Sequence, residues 1–266
     1  MSQFNFYRFG KLVRWSLTID RRWFVKTSLS WLVVFALVFL FFTCVTRFND
    51  QPASLQSYHA CSSMVMCTFV AILVLGPTMM FNSMRGKHDD QRLLMLPASN
   101  LEKYLARYSY WLLLLPSFVG SFVVADLLQY LVNLLLGHES RMLVMQYVMR
   151  IDFNIVFPPS NVVPRSLIAC IVLTFVWFHS CYAVGATFFR SHKYSWIMTS
   201  AILIVLGVIC GALRPNDEIS RSISSDTAIN LLRLWDVAYI FLIALNFWLS
   251  YKFFCRQQVI GKFVNV

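Results

Sequence analysis

The chain has 266 residues, of which 58% are hydrophobic and only 13% charged, with a formal net charge of +11. Soluble domains carry about 25% charged and about 45–50% apolar residues, so the charges here are too few to solvate a surface and a water-soluble globular domain is excluded. The basic residues lie beside apolar runs, which fits the positive-inside rule and anionic headgroups better than nucleic acid.

In chain order, the first segment is residues 3–22. Phe6, Phe9, Val13 and Leu17 recur at helical spacing, Arg8, Lys11 and Arg14 fall on another side, and Trp15 and Trp23 suit a headgroup layer. This pattern predicts an amphipathic helix lying on the inner leaflet; the plainer alternative is a loosely ordered basic tail. Six apolar runs follow, each long enough for the roughly 20 helical residues that cross a hydrocarbon core of about 30 Å. They are expected at about 27–45, 59–81, 107–130, 166–189, 196–213 and 235–251. The second should kink or end at Gly76-Pro77, because proline removes a backbone donor. No cleavable leader is expected: the first run begins only near residue 27 and is too long for a signal h-region.

Charge orients the spans. With the N-terminus inside, the inner segments hold sixteen of the 23 basic residues, including every lysine, and the outer segments hold seven arginines. The expected fold is therefore all-α: one polytopic transmembrane domain, 1–266, with six transmembrane helices and the interfacial helix. Both termini are expected in the cytoplasm and the chain in the inner membrane. The seven cysteines show no CxxC pair and lie mostly in apolar runs, as small buried hydrophobes would.

The loop between spans two and three carries the most pointed local signal. In Leu96-Pro97-Ala98-Ser99-Asn100-Leu101-Glu102-Lys103, Ser99 is a good N-cap and Glu102 stands three residues on, a capping box that starts a new helix. Such an element is either an ordinary capped helix start or a docking element for a soluble partner.

Chemistry-bearing motifs are sparse. GxxxxGK[ST] is missing, so the chain cannot cradle a triphosphate in the P-loop manner. Neither HExxH nor GxSxG occurs, the five histidines are scattered, and His88-Asp89-Asp90 cannot converge on one ion from adjacent positions. No enzymatic role, cofactor or metal is expected. Three polar residues within or near apolar runs, Asp126, His179 and Asn246, are candidates for a transport pathway, since such groups are costly in a bilayer and mark functional routes. Asp126 has an interfacial position as its alternative. Gly207 and Gly211, spaced GxxxG in the fifth run, would permit close helix approach within or between subunits.

The basic N-terminal helix (3–22), the inner loop after span two and the stretch LPASNLEKYLARY together resemble the membrane subunit of bacterial type-2 ABC exporters; the last stretch is similar to the LP-x-S-x-x-E-K element of short permeases of that class. The resemblance implies a dimer of six-span permease subunits working with a separate ABC ATPase chain, the second permease subunit being identical or different. It also implies that residues near 85–104 receive the push of ATP hydrolysis, with Arg85, Lys87, Arg92, Pro97, Ser99, Glu102 and Lys103 as docking residues. One departure is the outer region 137–165, larger than the family pattern. The rival readings are a non-transporting membrane scaffold or regulator with a permease-like shape, an ion-coupled carrier, and a membrane enzyme.

Overall fold

The computed structural model describes residues 4–48, 55–81, 92–93, 95–137, 142–150, 165–189, 194–212 and 225–256. All regular structure among them is helical: α1 (Phe6–Phe48), α2 (Leu55–Leu75), a 3-10 helix (Gly76–Phe81), α3 (Asn100–Tyr108), a second 3-10 helix (Ser109–Leu113), α4 (Leu114–Leu135), α5 (Val144–Met149), α6 (Arg165–Phe188), α7 (Ser195–Ala212) and α8 (Ser225–Cys255). Among the described residues, five stretches are long and apolar enough to cross a membrane: Phe6–Phe42, Tyr58–Phe81, Asn100–Leu135, Arg165–Phe188 and Asn230–Cys255. They match the first, second, third, fourth and sixth expected spans and fit a multi-pass membrane protein. The expected fifth span is a helix, α7, whose 18 residues make it the shortest of the six.

The N-terminal segment differs from expectation. Residues 3–22 do not form an element of their own; α1 is a single helix of 43 residues, about 64 Å at 1.5 Å per residue, twice the depth of a hydrocarbon core. Between Lys11 and Phe48 there is neither glycine nor proline to stop it. The hydroxyls of Thr18 and Ser28 donate back to the carbonyls of Arg14 and Phe24 one turn earlier, both at 2.9 Å, and so stay inside the helix. Of the expected apolar stripe, Phe6 is 81% exposed and Phe9, Val13 and Leu17 are half-buried, while Leu12, Ser16 and Asp20 are buried.

The two 3-10 stretches have prolines as their cause. α2 tightens at Gly76-Pro77, as expected. Before α4, Pro116 has no N–H to give Leu112, and its ring would press on that carbonyl. The helix therefore tightens over Ser109–Leu113 and restarts with Pro116 inside the first turn of α4, where an N–H lacks a partner anyway.

The described residues pack as two compact units. One comprises residues 14–73 and 109–156. Its core is aromatic: Phe35 and Phe39 of α1 meet Phe118 and Phe122 of α4 edge to face at 5.3 and 6.2 Å, and Tyr58 of α2 stacks on Tyr147 of α5 at 5.5 Å. The other comprises residues 1–13, 74–108 and 157–266. Here α6 and α8 form the main helix pair, and the 3-10 helix Gly76–Phe81 packs on α6. Tyr104 of α3 sits edge-on to Tyr251 and Phe254 of α8 at 5.7 and 5.5 Å.

Among the described cysteines, Cys61 is buried, Cys170 and Cys181 are half-buried, and Cys67 and Cys255 are exposed; all five are free thiols.

Candidate functional site

Ser99 directly precedes α3, after a bend over residues 96–98 in which the Ala98 N–H donates to the Leu96 carbonyl at 2.8 Å. The Ser99 N–H donates to Glu102 Oε2 at 2.9 Å, and the Glu102 N–H donates to Ser99 Oγ at 3.2 Å. This is the expected capping box, satisfying two donors that a helix start leaves open. The other carboxylate oxygen does something the local pattern did not foretell. Glu102 Oε1 accepts the N–H of Asn5 at 2.7 Å and the Arg8 guanidinium at 3.0 Å. Asn5 in turn caps α1, its Oδ1 accepting the Tyr7 N–H at 2.9 Å. One carboxylate, 0% exposed, therefore closes the first turn of α3 and holds the start of α1. A charge so enclosed requires partners, and the Arg8 cation and the backbone N–H groups of Asn5 and Ser99 provide them.

The proposed docking residues thus separate by accessibility. Arg85 and Lys87 lie outside the described residues. Arg92 and Pro97 are exposed and Ser99 is half-buried, while Glu102 and Lys103 are enclosed. Two exposed apolar side chains were not foreseen: Met95 (83%) and Leu101 (41%), on either side of Pro97 and Ser99. The readable sign for them was an apolar residue on each side of a capped turn.

His179 and Asn246 come together on one helix pair. His179 Nε2 is 2.6 Å from the Tyr108 hydroxyl of α3. Asn246 Nδ2 of α8 donates to Ser180 Oγ at 3.0 Å and to Cys181 Sγ at 3.4 Å. The seam continues toward the end of α8: Tyr104 Oη donates to Ser250 Oγ at 3.0 Å, and Ser250 Oγ donates to the Ala183 carbonyl at 3.0 Å. Ser180, Thr187 and Ser250 are fully buried. Positions 180, 183 and 187 on α6 face 246 and 250 on α8, the spacing that puts residues on one helix face. Polar groups among apolar helices hold their places by pairing across helices. Tyr104, Ser250 and Thr187 were not singled out from sequence; the sign was a run of small residues, Ser180, Ala183 and Thr187, at helical spacing.

Asp126 has a different task and belongs to the other unit. Its two oxygens accept the N–H groups of Val144 and Met145, both at 2.9 Å. Leu143, the N-cap of α5, has no side-chain oxygen to give, so Asp126 of α4 caps α5 in its place. Negative charge there also complements the helix dipole.

Gly207 and Gly211 are exposed, and a Cβ on either would meet nothing within 4 Å. They make no close helix approach among the described residues. Gly185 does: a Cβ there would stand 1.9 Å from Thr199 Oγ1, so α6 and α7 cross at a position where only glycine fits. Among the described residues, no group of three or more His, Cys, Asp or Glu side chains is placed to hold a metal ion. Comparison with protein-family models, with curated proteins and with solved structures finds no match in any of the three.

Proposed function

We propose that this chain is the membrane (permease) subunit of an ATP-driven exporter, coupled to a separate ABC ATPase and working as a dimer of six-span subunits. In this reading α7 is the sixth span, the first turns of α1 lie along the inner leaflet, and both termini are cytoplasmic. The observation that supports it best is the junction at Glu102. A helix in the loop after the second span is tied to the start of α1, so a push on that loop would reach α1 directly. The exposed set Arg92, Met95, Pro97 and Leu101 is the surface the ATPase would press, and Glu102 positions it from within. Transport would be gated by rigid-body rocking of helices, with no bond chemistry on this chain.

The test is co-purification of the tagged full chain in mild detergent, followed by mass spectrometry of what accompanies it. An ABC ATPase should be recovered with the wild type and lost from Leu101→Arg and Arg92→Glu. No ATPase in the wild-type sample overturns the reading. The pairing of Tyr108, at the end of α3, with His179 of the apolar helix α6 favours a second reading, an ion-coupled carrier. Uptake into proteoliposomes driven by a proton gradient without ATP would select that one.

A further inference from the structure

We propose that the outward face of α1 from Arg14 to Lys26 is a binding surface for anionic phospholipid headgroups. The proposal stands independently of the transport reading. Arg14, Arg21, Arg22 and Lys26 are all exposed, and among the described residues none of the four is paired with an acid. The one acid in this stretch, Asp20, is buried with Ser16 on the opposite side of the helix. Four cations on an open face repel one another until something anionic covers them.

The continuation of the same face identifies the occupant. One turn beyond Lys26 it becomes apolar, with Leu29 59% exposed, Val33 45% and Leu37 64%. The change occurs with no break in the helix. A nucleic acid or an acidic protein would match only the basic half. A phospholipid matches both, its phosphate at Arg21, Arg22 and Lys26 and its chains along Leu29, Val33 and Leu37. Trp23, 5.5 Å from Tyr110, sits at this boundary, the level at which amphipathic rings settle in a bilayer.

The test uses the full chain in dodecyl maltoside with either dioleoylphosphatidylglycerol or dioleoylphosphatidylcholine, counting retained lipids by native mass spectrometry. The wild type should retain the anionic lipid in preference by about tenfold or more. The preference should collapse in about 0.5 M salt, where screening is strong. It should also vanish in the quadruple variant R14Q/R21Q/R22Q/K26Q. These side chains are exposed, so helix content by circular dichroism should be unchanged. If the quadruple variant nevertheless fails to fold, the single variants Arg21→Gln and Lys26→Gln should each lower the preference part of the way. A wild type without preference overturns the proposal. So does a variant that keeps the preference, or an equal loss in the control pair R165Q/R233Q. Release by the four substitutions of a nucleic acid or acidic protein, in place of lipid, overturns it as well.

Discussion

Arg8 and Glu102 are 94 residues apart in sequence and meet at 3.0 Å, with the glutamate carboxylate enclosed. The pair joins two helix starts: Asn5 caps α1 and gives its own N–H to the carboxylate that caps α3. Glu102→Ala should therefore loosen both starts at once. In hydrogen–deuterium exchange, peptides covering 4–12 and 99–106 should lose protection together. Arg8→Met should do less, because the carboxylate keeps its two backbone donors, the N–H groups of Asn5 and Ser99. Equal protection in Glu102→Ala and wild type would show that the junction does not hold the start of α1.

Asp126 acts as a cap supplied from a neighbouring helix. Asp126→Ala strands the N–H groups of Val144 and Met145, and at about 1–3 kcal/mol for each buried donor left unmade the total is about 2–6 kcal/mol. Asp126→Asn keeps one acceptor oxygen and should lose about half of that. The ordering wild type, Asn, Ala in thermal stability checks the assignment. An Ala variant as stable as wild type but defective in substrate movement would return Asp126 to the pathway.

What could be read from the sequence follows from the range of each interaction. The Ser99–Glu102 box and the tightening at Gly76-Pro77 involve neighbours a few residues apart, so residue type and spacing suffice. The apolar runs are legible for a similar reason, since crossing a bilayer is a property of one helix alone. Glu102 shows the limit. Its local pattern accounts for Oε2 and leaves Oε1 with capacity, but nothing near it says that the capacity goes to Asn5 and Arg8. Asp126 is readable as a pathway or an interfacial residue because a carboxylate in an apolar run is costly; its compensation comes from donors 18 and 19 positions on, beyond the reach of a local pattern. The glycines show the converse. Gly207 and Gly211 form the recognisable motif yet face open space, while lone Gly185 is where two helices touch.

That contrast makes a direct prediction. Gly185→Ala forces a Cβ onto Thr199, and overpacking of this kind costs about 1–3 kcal/mol. Thr199→Ala should recover only part of the loss, because the threonine Cβ itself lies 2.9 Å from the added atom, and Thr199→Gly should recover most of it. Gly207→Ala and Gly211→Ala should leave the stability of the isolated subunit unchanged. If either weakens a dimer seen by size-exclusion chromatography with light scattering, the exposed GxxxG face is where the copies meet. If neither does, those glycines face lipid.

The Tyr104–Ser250 contact tests how much the seam between α6 and α8 contributes. Both residues are buried, and Ser250 stands between Tyr104 and the Ala183 carbonyl. Hydrogen bonds between membrane helices contribute about 0.6 kcal/mol on average and about 1.7 kcal/mol at most, because a polar group left alone in lipid finds other partners. Tyr104→Phe and Ser250→Ala should therefore each be tolerated, and a double-mutant cycle on unfolding in mixed detergent should give a coupling near the average. A coupling well above that maximum would mean that the seam is cooperative, with the tyrosine, the serine and the carbonyl acting as one unit that fixes the register of α6 against α8. A coupling of zero would leave α3 held on α8 by the aromatic contacts of Tyr104 with Tyr251 and Phe254. The seam would then serve only to keep buried polar groups satisfied.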